Sequence, residues 1–116
     1  MADEGTPGVQ SVRSEGTATV VSLTGEVDLH SSPEIHRVLV TVAGEEPARI
    51  VLDLADVTYM DSSGVGTIVE VFRRVQAYGG RLIVAAPSPR VRSLFQITQL
   101  ERIFTILDTV EEALQA

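Results

Sequence analysis

Two spacings of apolar residues run through this chain. Ile50-Val51-Leu52-Asp53-Leu54 is a nearly unbroken apolar run, the mark of a strand covered on both faces, and it predicts the central strand of a sheet. Arg81 to Ala86 (RLIVAA) repeats that pattern, and Ile103 to Leu107 predicts a final short strand. Upstream, a strand pattern from Val9 to Ser14, the turn dipeptide Glu15-Gly16 and the Thr- and Val-rich segment Thr17 to Leu23 predict a hairpin. Gly25-Glu26-Val27-Asp28 is then expected to break the second strand.

The other spacing is helical. Ile35, Val38, Leu39 and Val42 fall at i, i+3, i+4 and i+7, and Gly44 and Pro47 end the segment. Ser31 and Glu34 have capping-box spacing ahead of this stripe, with Pro33 suited to a first turn. Val65, Ile68, Val69, Phe72 and Val75 mark a second helical face, with Gly79-Gly80 as its C-terminal stop. Ser88-Pro89 opens a third helix carrying Val91, Leu94 and Phe95, while Thr109 and Glu112 cap a terminal one. Phe72 and Phe95 are expected in the core. Strands alternating with helices after an initial hairpin predict an α/β fold with about four helices. Its sheet is mixed but mostly parallel, with right-handed crossovers and one antiparallel edge.

Composition narrows the picture. With 116 residues and 44% apolar content the chain fits one domain, expected over residues 9–116 behind a disordered acidic tail, Met1 to Gly8. There is no cysteine, so disulfides and thiolate chemistry are excluded. His30 and His36 lie six apart, which is not the spacing of a helical metal-ligand pair, and no metal or cofactor is expected. All nine basic residues are Arg; without lysine there is no phosphate-loop, Schiff-base or kinase ATP lysine. Asp53, Asp56 and Asp61 suggest an acidic receiver-type pocket, but that chemistry also needs a lysine. The net charge of −7 disfavours nucleic acid and anionic membrane as partners. With no apolar span or signal segment in view, a cytoplasmic location is expected.

In an open α/β sheet, functional groups gather beyond the carboxyl ends of the strands. Four loops qualify here: Gly25 to Ser32, Tyr59 to Gly64, Pro87 to Arg90, and Asp108 to Thr109. The second is the richest, with Tyr59-Met60-Asp61-Ser62-Ser63-Gly64-Val65-Gly66 placing two hydroxyls and a carboxylate at a helix start. Asp and Ser there serve as N-caps, and Gly64 and Gly66 permit close backbone approach. The same geometry suits a phosphorylation switch, because roughly −1.5 to −2 charges added at a first-turn serine sit at the positive helix end.

Leu23-Thr24-Gly25-Glu26-Val27-Asp28, the strand Ile50 to Leu54 and Tyr59 to Gly66 together resemble the STAS-domain anti-sigma factor antagonists of bacterial partner-switching systems. Ala77-Tyr78-Gly79-Gly80-Arg81-Leu82 and Ser88-Pro89-Arg90-Val91-Arg92-Ser93-Leu94-Phe95 extend the likeness over nearly the whole chain. The resemblance implies a non-enzymatic regulator whose unphosphorylated form binds an anti-sigma factor with serine kinase activity and so frees a sigma factor. Phosphorylation at the first serine of the D-S-S-G element, Ser62, then releases it, and a PP2C-like phosphatase restores binding. Asp28 matches the acidic residue in the neighbouring loop and Asp61 the one preceding the acceptor. Asp28, Asp61, Ser63 and Gly64 are the expected partner-binding positions, with helix capping an equal reading for Ser63.

Three other readings stay open. One is a STAS scaffold, never phosphorylated, in a signalling or transport assembly. Another is an enzyme with Ser62 as nucleophile and His30 or an Asp as base, for which no G-x-S-x-G elbow exists. The last is an anion sensor at the helix start. Arg73, Arg74, Arg90 and Arg92 read as solvated surface, as does His36.

Overall fold

The computed structural model describes residues 8–116. The expected tail therefore lies outside the described residues, apart from Gly8, whose carbonyl accepts from the Thr24 amide at 2.9 Å. The elements are β1 (Val9–Glu15), β2 (Ala18–Val27), α1 (Ser32–Gly44), β3 (Arg49–Met60), α2 (Ser62–Ala77), β4 (Arg81–Ala85), α3 (Pro89–Ile97), β5 (Thr105–Leu107) and α4 (Val110–Gln115). A single 3₁₀ turn, Leu100–Arg102, precedes β5.

The five strands lie in chain order, with β1 antiparallel to β2 and every later pairing parallel. That order has a packing consequence: successive crossovers of one hand stepping in one direction place their helices on one face. Accordingly Ile35 and Leu39 of α1, Ile68, Val71 and Val75 of α2, and Val91 and Phe95 of α3 share one core with Val21, Leu23, Ile50, Leu52, Leu54, Leu82 and Val84. The opposite face carries Val20, Val51, Ile83 and Ala85, closed by Ala113 of α4. Arg49 holds that short helix by donating to the carbonyls of Leu114 and Ala116. Both faces of β3 are thus apolar, as its unbroken sequence run requires. Among the described residues no helix is long and apolar enough to cross a membrane.

Three local expectations are corrected. Gly25 does not end β2; it sits at φ +74° beside a register shift against β3, and the strand continues to Val27. A bulge of this kind uses glycine's access to positive φ to kink a strand without stopping it. β3 likewise runs past Leu54 to Met60, and from Leu54 onward it is buried only at Leu54, Val57 and Met60, a period of three that bulges produce. The Ser31–Glu34 capping box does not form: Ser31 is helical, makes no side-chain cap, and Glu34 pairs with Arg37.

Phe104, in the turn before β5, is 3% exposed and closes the core between two aromatic edges. Its ring meets Phe72 at 5.0 Å and 69° and Phe95 at 5.9 Å and 83°, both edge-to-face arrangements favoured by the ring quadrupole. Phe95 is fully buried as expected, whereas Phe72 is only half-buried against the core. Phe104→Ala is expected to cost about 3–5 kcal/mol in urea unfolding, the range for emptying a buried aromatic site. A loss below about 1 kcal/mol would show that this turn is peripheral to the core.

Candidate functional site

The site begins with an asymmetry in the sheet. β3 pairs with β4 only from Arg49 to Asp53, yet it pairs with β2 along its whole length to Met60. The last seven residues of β3 and the end of β2 therefore form a two-stranded arm. It carries the next loop up to roughly 20 Å of strand past the point where β4 stops. Asp28 to Ser31 follow β2 and Asp61 follows β3, so these two loops emerge side by side, joined by the Asp61 amide donating to the Val27 carbonyl at 3.1 Å. The Pro87 to Arg90 and Asp108 to Thr109 loops do not share this rim. They lie at the ends of β4 and β5, where Arg92 bridges to Asp108 at 2.9 Å. The expected four-loop face is thus a two-loop site.

Within it Asp61 is the N-cap of α2, in extended conformation at φ −115°. Its Oδ1 accepts from the Ser63 amide at 2.9 Å, from Ser63 Oγ at 2.6 Å and from the Gly64 amide at 3.4 Å. The Ser63 hydroxyl, then the amides of Ser63, Gly64 and Leu29, hold this carboxyl below the usual aspartate pKa, against the opposing effect of desolvation. Ser63 is half-buried and its Oγ also lies 3.0 Å from Ser32 Oγ, which ties the first turn of α2 to the first turn of α1. Gly64 is compulsory for packing. A Cβ there would lie 2.6 Å from Val27 Cγ1, 2.9 Å from Met60 Cγ and 3.3 Å from the Val27 carbonyl.

Ser62 differs from every neighbour. It is exposed, and among the described residues its side chain makes no hydrogen bond. Asp28 is committed to its own loop, with Oδ1 accepting from the His30 and Ser31 amides at 3.0 and 3.1 Å. Ser31 is buried and fixes the loop by donating to the Glu26 carbonyl at 2.9 Å and accepting from the Asp28 amide at 3.1 Å. Leu29 is 77% exposed and Tyr59 41% exposed, so the rim presents two large apolar side chains to solvent.

Several other candidates do not join this site. His30 is exposed, with its backbone amide on Asp28. His36 reaches Glu70 of α2 at 3.0 Å, a contact between helices rather than a purely solvated position. Asp53 accepts from Ser22 Oγ at 2.9 Å and Asp56 is exposed, and among the described residues no three His, Cys, Asp or Glu side chains converge. Arg74 pairs with Glu70 while Arg73 and Arg90 are exposed. Three contributors were missed in the sequence: Ser32, whose Oγ reaches Ser63, and the rim residues Leu29 and Tyr59. Leu29 carried a signal, being a large apolar residue in a polar loop between Asp28 and His30.

Residues 9–113 match the family model described as the STAS domain. The chain belongs to the STAS domain family. Anti-sigma factor antagonists are among its relatives. It is 39% identical over 95 residues to the anti-sigma-B factor antagonist of Bacillus subtilis, covering 82% of this chain and 86% of that one. The structure of the anti-sigma factor antagonist SpoIIAA in its unphosphorylated form is 31% identical with TM-score 0.79, covering 91% of this chain and 92% of that one. The Bacillus cell fate determinant SpoIIAA in its phosphorylated form is 30% identical with TM-score 0.73, covering 92% and 96%.

The depressed pKa of Asp61 fixes the sign of a pH effect. Stability from the ionised cap is complete above the ordinary aspartate pKa, about 3.9, and is lost as pH falls through the lower folded-state value. Asp61→Asn, which keeps a capping oxygen but cannot titrate, is expected to show a shallower acid loss in chemical unfolding followed from pH 7 downward. An unchanged acid slope would rule out this carboxylate as a contributor. Gly64→Ala is expected to destabilise by about 1–3 kcal/mol through overpacking on Val27 and Met60. Thermal unfolding would measure it, and an unaltered midpoint would show that the arm yields freely.

Proposed function

We propose that this protein is an anti-sigma factor antagonist whose binding is switched by phosphorylation of Ser62. In its unphosphorylated form it binds an anti-sigma factor that is also a serine kinase, and so frees a sigma factor. That kinase transfers a phosphoryl group to Ser62 and releases the protein, and a PP2C-like phosphatase restores the binding form. The observation that carries this reading is the division of labour at the start of α2: Asp61 and Ser63 supply the cap, leaving the exposed Ser62 hydroxyl without a structural role. That SpoIIAA is known in unphosphorylated and phosphorylated forms supports a phosphate on this fold.

The physical basis of release is electrostatic. Phosphoserine adds about −1.5 to −2 charges. At the positive end of α2 that charge is compatible with the helix, so the fold tolerates it. At a docked interface it meets the Asp61 carboxylate, loses hydration, and interrupts the contact that exposed Leu29 and Tyr59 would make. Penalties of ~2–5 kcal/mol are measured for mispaired interface charges, and 1.4 kcal/mol is tenfold in affinity, so about two to three orders of magnitude are available. We read the action as binding rather than catalysis, the reading that the anti-sigma factor antagonists this chain resembles support.

Titration calorimetry of wild type, Ser62→Ala and Ser62-phosphorylated protein against the anti-sigma factor kinase of the same organism tests the switch. Wild type and Ser62→Ala are expected to bind alike, with the phosphorylated form weaker by about 100-fold or more. Equal affinity for all three contradicts the proposal.

A further inference from the structure

Two serines stand side by side in this element, and a kinase that grips the loop meets both hydroxyls. We propose that the hydrogen-bonded chain Ser32–Ser63–Asp61 confines phosphorylation to Ser62 by denying the kinase the Ser63 hydroxyl. The inference rests on the reading of this loop as a kinase substrate and adds the residue that sets its specificity.

Phosphoryl transfer from ATP forms an Oγ–P bond, breaks the γ-phosphate's bond to ADP, and passes the hydroxyl proton to a base of the kinase. The acceptor oxygen must therefore offer a free lone pair and a proton that the kinase can reach. Ser63 offers no free proton and only one of its two lone pairs. Its one proton is engaged by Asp61 Oδ1 at 2.6 Å, a short contact of the charge-assisted kind. Since that proton is spent, the 3.0 Å contact between Ser63 and Ser32 has Ser32 as donor and occupies a lone pair of Ser63. Ser32 is 7% exposed, so it is backed by the packed start of α1 and has no alternative acceptor among the described residues.

Asp61 does not serve as the base for Ser63. The same oxygen also accepts the Ser63 and Gly64 amides, and the Ser63 hydroxyl first, then these amides, hold the carboxyl below the usual aspartate pKa against desolvation, making it a poor proton acceptor. A phosphate on Ser63 would also replace the hydroxyl that sits 2.6 Å from that carboxylate and so lie directly against it. Ser32 is thus a positioning residue. It acts through Ser63 and touches neither ATP nor the transferred group.

The test incubates the full chain with the anti-sigma factor kinase of the same organism and ATP, and locates the phosphate by fragment-ion mass spectrometry. Wild type is expected to carry it on Ser62 alone, and Ser62→Ala to carry none. Combining Ser62→Ala with Ser32→Ala is expected to bring Ser63 labelling into view, at about tenfold over the detection limit below which Ser62→Ala stays, the factor supplied by releasing one hydrogen bond of ordinary strength. Combining it with Ser32→Thr, which keeps the hydroxyl, is expected to stay silent. Ser32→Ala alone, retaining Ser62, shows through continued Ser62 labelling that the domain folds and docks. Ser63 labelling in Ser62→Ala by itself, or a silent Ser62→Ala/Ser32→Ala protein, overturns the inference. A wild type that takes no phosphate on either serine instead overturns the functional reading beneath it.

Discussion

The carboxylate of Asp61 is the constraint on which the site depends. One oxygen takes the Ser63 amide, the Ser63 hydroxyl and the Gly64 amide, at the point where β3 ends and α2 begins. An N-cap of this kind is worth about 0.5–2 kcal/mol, and a negative charge there complements the helix dipole. More important is what the cap leaves over. Since Asp61 and Ser63 satisfy the first turn, Ser62 holds nothing in place and its chemistry is separated from the stability of the domain.

That separation is built by the sheet. β3 runs on beside β2 for seven residues after its pairing with β4 has stopped, and the arm they form brings the Asp28 and Asp61 loops out together. Gly64 packs against Val27 and Met60 at the end of this arm, so the start of α2 is seated on both strands. Ser32 and Ser63 join α1 to α2 at the same level. The Asp61–Gly64 loop is therefore supported from three sides while Leu29, Tyr59 and Ser62 on its outer rim are exposed.

Much of this was legible from spacing alone. The helical stripes and the unbroken run at Ile50 to Leu54 carry tertiary information directly, because a 3.6-residue period marks one buried helix face and a short unbroken apolar run marks a strand covered on both sides. The arm was not legible. Beyond Leu54 the buried positions Val57 and Met60 recur every third residue across register shifts, a pattern that matches neither strand nor helix. Gly25 misled for a related reason, since a glycine at positive φ marks a bulge as readily as an end. The Ser31–Glu34 spacing satisfied the capping-box rule, but Ser31 spends its hydroxyl on the loop at Glu26 and Asp28. At the site, Asp61, Ser63 and Gly64 could be picked from the motif. Ser32 could not, because its partner lies 31 positions away and only the pairing of β2 with β3 brings the two helix starts together.

The central claim is that charge can be added at Ser62 without disturbing the fold. The most direct measurement is a comparison of backbone amide NMR spectra of the unphosphorylated and Ser62-phosphorylated protein. Shifts confined to Val27–Ser32 and Asp61–Gly66, with the amides of β4, α3 and α4 unmoved, are predicted. Loss of the α2 amide signals, or shifts spread through the sheet to β5, would contradict the account.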